Sequence, residues 1–142
     1  MTNGRSPSLA LEPIRTYRDF IAGQSLAAKA RGLARDAALR ALSLGRSPAA
    51  VSGWIRFPFY HHVFDDERKD FERQLDFMAG LGNFIGLDDA VAMLAAGDPI
   101  DGRYFCITFD DGFKNWHTNA MPILLDKKAP ATFFLVTGYI GA

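Results

Sequence analysis

Cysteine is nearly missing. The 142 residues hold one, Cys106, so no intrachain disulfide framework can form, and its place inside an apolar run assigns it to core packing. No apolar run approaches the length that spans a bilayer. The first residues also lack the basic, apolar and small-residue order of a secretory signal, which makes a cytoplasmic location the default expectation. Nor is there a Gly-rich loop followed by Lys-Ser or Lys-Thr, or an Asp-x-Asp spacing. Phosphoryl transfer, the obvious chemistry for acidic residues at strand ends, therefore loses ground. Net charge is absent too, with 16 Lys and Arg against 16 Asp and Glu.

The neutral total hides an uneven distribution. Residues 1–50 carry eight basic and three acidic side chains, whereas residues 51–142 carry eight and thirteen. The two segments therefore have different surfaces. Residues 1–13, rich in Gly, Ser, Pro and Asn, read as a disordered lead. A basic helical segment and linker follow over 14–53. Arg15 to Leu44 has the apolar spacing of a helix, with Tyr17, Ile21, Leu26, Leu33, Ala37 and Leu44 near one face, and Gly45 stops it. A basic amphipathic helix without a span suits an anionic membrane surface, but this Ala-rich face is weak for insertion. Packing on the neighbouring domain or binding a partner is favoured.

From Trp54 onward the pattern alternates strand, helix, strand, helix, which predicts a parallel sheet with covering helices. Trp54–Tyr60 reads as a strand disturbed by Pro58. Asp65 or Asp66 is placed to cap a helix through Phe71, Leu75 and Met78. A short strand is expected over Phe84–Leu87, and then a helix capped by Asp88 and closed by Gly97. Further on, a helical face formed by Trp116, Ala120, Ile123 and Leu124 is interrupted at Pro122, and Ala131–Val136 forms the next strand.

The chemistry concentrates at the end of one run, Tyr104-Phe105-Cys106-Ile107-Thr108-Phe109-Asp110-Asp111-Gly112-Phe113. Its apolar body is that of a strand covered on both faces, and in α/β folds reactive groups sit where such strands end. Adjacent carboxylates leaving a strand point in different directions. One can hold a cation while the other takes a proton from water, and Gly112 lets the backbone turn. Taken alone, Asp-Asp-Gly reads first as a plain turn ending a strand. His61 and His62, at the end of the earlier predicted strand, are candidate ligands by position, and His117 reads as a surface residue.

Thr108-Phe109-Asp110-Asp111-Gly112 matches the first motif of the polysaccharide deacetylases (NodB homology, carbohydrate esterase family 4) at every position. Phe59-Tyr60-His61-His62-Val63 resembles the family's Tyr-His-x-Val strand, and Phe71–Phe77 its first helix. Pro122–Leu125 and Pro130–Gly141 resemble its next helix and core strand. The resemblance covers residues 54–142 and implies a partial NodB-like domain, the N-terminal part of a distorted (β/α) barrel of the glycoside hydrolase-deacetylase type, preceded by the basic helix. It implies removal of N-acetyl groups from amino-sugar poly- or oligosaccharides, with Asp110 as general base and Asp111 as a metal ligand. The implied cofactor is a divalent metal, zinc foremost, although cobalt, nickel or manganese is compatible with one carboxylate. His61 becomes a pocket-lining residue and His62 a structural or exposed one. Partners are then an N-acetylated glycan and no nucleic acid.

The family's second metal motif, His-x-x-x-His, is not in the sequence. The expectation is thus an N-terminal portion of a longer deacetylase, inactive by itself, because a catalytic zinc takes three protein ligands. The alternative is a non-catalytic remnant that binds carbohydrate or a protein partner.

Overall fold

The computed structural model describes residues 13–44, 51 and 53–140. The expected disordered lead and the Arg46–Pro48 linker fall almost wholly outside them. Six short strands carry the domain: β1 (Trp54–Arg56), β2 (Phe59–Tyr60), β3 (Asn83–Phe84), β4 (Arg103–Phe105), β5 (Ile107–Phe109) and β6 (Ala131–Phe133). They form two three-stranded ladders, β1-β4-β3 and β2-β5-β6, and every pairing is parallel, as the alternating pattern requires. Helices α3 (Arg68–Ala79), α4 (Leu87–Ala96) and α5 (Met121–Asp126) connect them.

The ladders share one backbone. Cys106, Thr108 and Asp110 donate their N–H groups to the carbonyls of Arg56, Pro58 and Tyr60, at 2.9, 3.1 and 3.0 Å. Residues 103–110 and 54–60 are thus paired through both ladders. Pro58 breaks β1 from β2 because it has no N–H, yet its carbonyl still accepts from Thr108. The opposite edge changes partner midway: Ile85 donates to Phe105, and Phe134 to Phe109. At the turn before β3 the chain passes so close to β4 that a Cβ on Gly82 would lie 2.4 Å from the Arg103 carbonyl oxygen.

Phe109 is the hub of the core. Fully buried, it stacks on Tyr60 and Phe133 at 5.3 and 5.0 Å between centroids and meets Phe71 edge-on at 6.1 Å. Phe71, Leu75 and Met78 form the buried stripe of α3, as their helical spacing predicts. Lys127, beyond α5, is within salt-bridge distance of Glu72 and Asp76 on α3, and those partners raise its pKa. Cys106 is buried, and burial pushes its thiol pKa up, in keeping with a packing role.

Several boundaries differ from expectation. The helix expected over Arg15–Leu44 is two, α1 (Tyr17–Ala22) and α2 (Leu26–Ser43): Gly23 ends the first, and the Ser25 hydroxyl caps the second. No residue of α2 is buried, and Leu26, Leu33, Leu39 and Leu42 stand exposed; the α1 half of the expected helix does pack on the domain, through Phe20 on Phe64 and His62. Asp66 caps α1 instead of α3, accepting from the backbone N–H of Tyr17 at 2.7 Å and of Arg18 at 3.3 Å. Gly86, not Asp88, precedes α4, while Gly97 closes it in a left-handed conformation. The strand at 83–84 ends earlier than expected because Leu87 already begins α4, and the strand at 131–133 because, after Phe134 donates to Phe109, the chain enters the 3₁₀ turn Thr137–Tyr139. A five-residue π turn (Trp116–Ala120) precedes α5, and Pro122 sits in that helix's first turn, where a missing N–H costs nothing.

Truncating fully buried Leu75 to Ala should cost about 2–5 kcal/mol, read by urea denaturation; a loss below about 1 kcal/mol would contradict its place in the core. The Asp66 cap makes a second prediction. The bonds from Tyr17 and Arg18 lower the Asp66 pKa, so the stabilisation is present above the unfolded value and is lost as pH falls through the lowered folded one. Asp66→Ala should move the Tyr17 and Arg18 amide NMR shifts toward unfolded values at neutral pH. Unchanged shifts would show that α1 docks without this cap.

Candidate active site

β2 and β5 end side by side, and their C-terminal ends place the polar residues together. Asp110 is half-buried, its N–H tied to the Tyr60 carbonyl. Asp111 and Gly112 follow with φ of 74° and 73°. Two successive left-handed residues turn the chain sharply off the strand. Asp is among the few non-glycine residues that tolerate this region. At Gly112 an added Cβ would also press within 3.3 Å of Leu135. Such strain persists only where the surroundings over-determine it, and it clusters at functional sites.

The turn brings Asp111 to His61. His61 Nε2 lies 3.7 Å from Asp111 Oδ2, and each side chain is 47% exposed. That separation is an ion-pair distance, not a hydrogen bond. His62 points to the other side and is half-buried. Its ring lies 4.1 Å from that of Phe113 and 5.0 Å from that of Phe64, and its Nδ1 is 3.1 Å from the Asn115 amide. The structure thus brings Asp110, Asp111 and His61 to one edge, assigns His62 to holding the following loop, and leaves His117 exposed on the π turn.

Sequence reasoning missed the residues that brace this loop. Buried Asn119 donates to the Val63 carbonyl at 2.9 Å and to Asp65 Oδ1 at 2.8 Å, tying the π turn to the segment after β2. Its signal would have been a polar residue on the buried face of the Trp116–Ala120 helical pattern. Tyr60 donates its hydroxyl to Gln74, and burial raises its pKa, keeping it a neutral donor. Trp116 Nε1 and Asn115 Oδ1 are buried with no partner among the described residues, at about 1–3 kcal/mol each.

A divalent metal is the cofactor that the resemblance implies. Among the described residues no three His, Cys, Asp or Glu groups converge. His61 and Asp111 are one short of the three protein ligands a catalytic zinc takes, so these residues do not complete a metal site.

The fold is parallel α/β with acidic residues at a central strand end, a class in which such strand ends carry the reactive groups. Residues 98–142 match the family model described as polysaccharide deacetylase. The chain is similar to the structure of IcaB from Ammonifex degensii, at 30% identity and a TM-score of 0.58 over 64% of this chain and 41% of that one. It also shares its fold with the Streptococcus pyogenes deacetylase PplD in complex with acetate, at 23% identity and a TM-score of 0.55 over 65% and 47% of the two chains. No curated protein sequence matches. These matches support a NodB-like polysaccharide deacetylase domain present in part, and the chain spans less than half the length of either solved structure.

The left-handed turn is testable by itself. Asp111→Asn keeps a side chain that tolerates φ of 74°, so its stability should stay within about 0.5 kcal/mol of the parent. Asp111→Ala should lose about 1 kcal/mol or more to backbone strain. Equal melting temperatures for the two variants would show that the turn relaxes.

Proposed function

We propose that this chain contributes the first catalytic residues of a metal-dependent deacetylase acting on N-acetylated amino-sugar poly- or oligosaccharides. The observation that carries the reading is the position of Thr108-Phe109-Asp110-Asp111-Gly112. The motif lies at the C-terminal end of the central parallel strand, with one carboxylate half-buried and the other held in a strained turn beside His61.

In this reading Asp110 is the general base. It accepts a proton from the water whose oxygen adds to the acetamide carbon. The C–N bond then breaks, the water oxygen leaves in acetate, and the proton ends on the sugar amine. A positioned carboxylate contributes about 10²–10⁴-fold to such a step. Asp111 is one ligand of a divalent cation, zinc foremost, and the ligands that complete its shell come from outside the described residues. His61 lines the pocket between the two strand ends. The two ladders are the first part of a (β/α) barrel, whose remaining strands would pair beyond the β6 edge.

The incomplete ligand set favours a second reading as well. A chain with this fold and no competent metal site can bind glycan or a protein partner without cleaving anything. The exposed leucines of α2 are the surface such a partner would use. A membrane surface, which the same helix could in principle contact, is less well suited to its alanine-rich face. Among the described residues no helix is long and apolar enough to cross a membrane.

Deacetylation of an N-acetylglucosamine oligomer with added zinc separates the readings. The assay compares this chain with a longer reading frame that carries His-x-x-x-His, each with and without Asp110→Asn. Activity is expected in the longer form only, falling at least about 100-fold in Asp110→Asn. Turnover that survives Asp110→Asn would remove the carboxylate from its assigned role. Silence of every form would leave the binding reading.

A further inference from the structure

We infer that the cavity between α1 and the loop after Gly112 is a subsite for an anionic segment of glycan. The cavity is about 950 Å³, at the large end of small-ligand sites. It is bounded on one side by the segment leading into α1, with Arg15 and Phe20, and on the other by Phe113 and Lys114, which directly follow the Asp110-Asp111-Gly112 turn. His62, next to His61, lines it as well. Asp110, Asp111 and His61 do not line the cavity, but two of its lining residues are chain neighbours of that site, His62 of His61 and Phe113 of Gly112. A polymer running from the two carboxylates past Phe113 would reach the cavity.

Charge sets the class of ligand. Three cationic side chains, Arg15, Arg68 and Lys114, face the cavity against the one carboxylate of Asp65. Arg15 is already engaged, its Nε 3.2 Å from Asp65 Oδ2. Arg68 and Lys114 make no ion pair with a described residue, so two positive charges are left for a ligand. The surplus stands out because residues 51–142 are acidic overall. Partly exposed rings, Phe20 at 38% and Phe113 at 40%, offer flat apolar faces beside these charges. An apolar face flanked by cations suits a sugar ring carrying a carboxylate better than a neutral one. The cavity exists because α1 is docked: Asp66 caps that helix, and Phe20 packs on Phe64 at 5.6 Å and on His62 at 6.2 Å.

The inference rests on the deacetylase reading only for the amino-sugar backbone, and binding can be measured without turnover. Calorimetric titration of the 142-residue chain compares a hyaluronan hexasaccharide, which alternates N-acetylglucosamine with a uronate, with the neutral N-acetylglucosamine hexamer. A short poly-glutamate peptide serves as an anion without sugar. The hyaluronan fragment should bind about tenfold tighter than either, an advantage that shrinks as salt is raised, because exposed charges are screened. Arg68→Ala/Lys114→Ala should remove about tenfold of that affinity, the factor expected for two exposed charge contacts, and leave the neutral hexamer unaffected. Phe20→Ala should weaken both sugars.

Equal affinity for the two hexamers, poly-glutamate binding as tightly as hyaluronan, or a double variant that still prefers hyaluronan would each overturn the proposal. Tight hyaluronan binding by a protein that never deacetylates would count against the catalytic reading alone.

Discussion

The packing of Phe109 constrains everything that follows it. The residue lies one position before the candidate catalytic carboxylate, and its ring is fixed from several sides, by Tyr60 of β2, Phe133 of β6 and Phe71 of α3. Its backbone is fixed as well, because its carbonyl accepts from Phe134 at 2.7 Å. A strand end held at ring, carbonyl and neighbouring amide has little freedom. Asp110 therefore leaves the sheet at a defined point, as a proton acceptor needs if it is to meet water in one geometry. The same aromatic packing holds β2, β5 and β6 to α3, so the core that stabilises the fold also aims the site.

Beyond that anchor, order is maintained by local chemistry. The left-handed pair Asp111–Gly112 reverses the chain, and the loop is then fastened by polar and aromatic contacts. Phe113 lies on His62, the Asn115 amide meets the same imidazole, and Asn119 reaches Val63 and Asp65. Asp65 and Asp66 join this arrangement to the N-terminal segment: one faces Arg15 and accepts from Asn119, and the other caps α1. The acidic pair after β2 thus links the N-terminal helix and the loop after the motif. Residues that look like an ordinary helix cap in the sequence hold three segments together.

That example shows what was legible in the sequence and what was not. The buried run through Phe109, the α3 stripe of Phe71, Leu75 and Met78, and the alternation of strand and helix are set by period and composition, and all are visible in one dimension. The five-residue motif is equally legible, as its chemistry is contiguous. Choices that depend on distant chain were not. Asp66 caps a helix 48 and 49 residues earlier, and nothing local distinguishes it from a cap for the helix that follows. The break at Gly23 was not legible either, since two helices and one long one share the same apolar spacing. The proximity of His61 to Asp111 is tertiary as well. It follows from the parallel register of β2 on β5, in which Tyr60 pairs with Phe109.

The incomplete ligand set follows from the same register. Parallel α/β folds assemble their sites from the C-terminal ends of several strands, each supplying one or two side chains. Of the strand ends described here, β2 supplies His61 and β5 supplies the two carboxylates. β6 leads into Phe134-Leu135-Val136, which offers no ligand and leaves three large apolar side chains exposed. The exposed apolar surface therefore lies along the edge next to β5. On the proposed deacetylase reading, a segment pairing with β6 would cover that surface and stand where a further donor could enter. A metal added to the described residues alone would meet two donors in a half-exposed turn, with no third strand end to hold it.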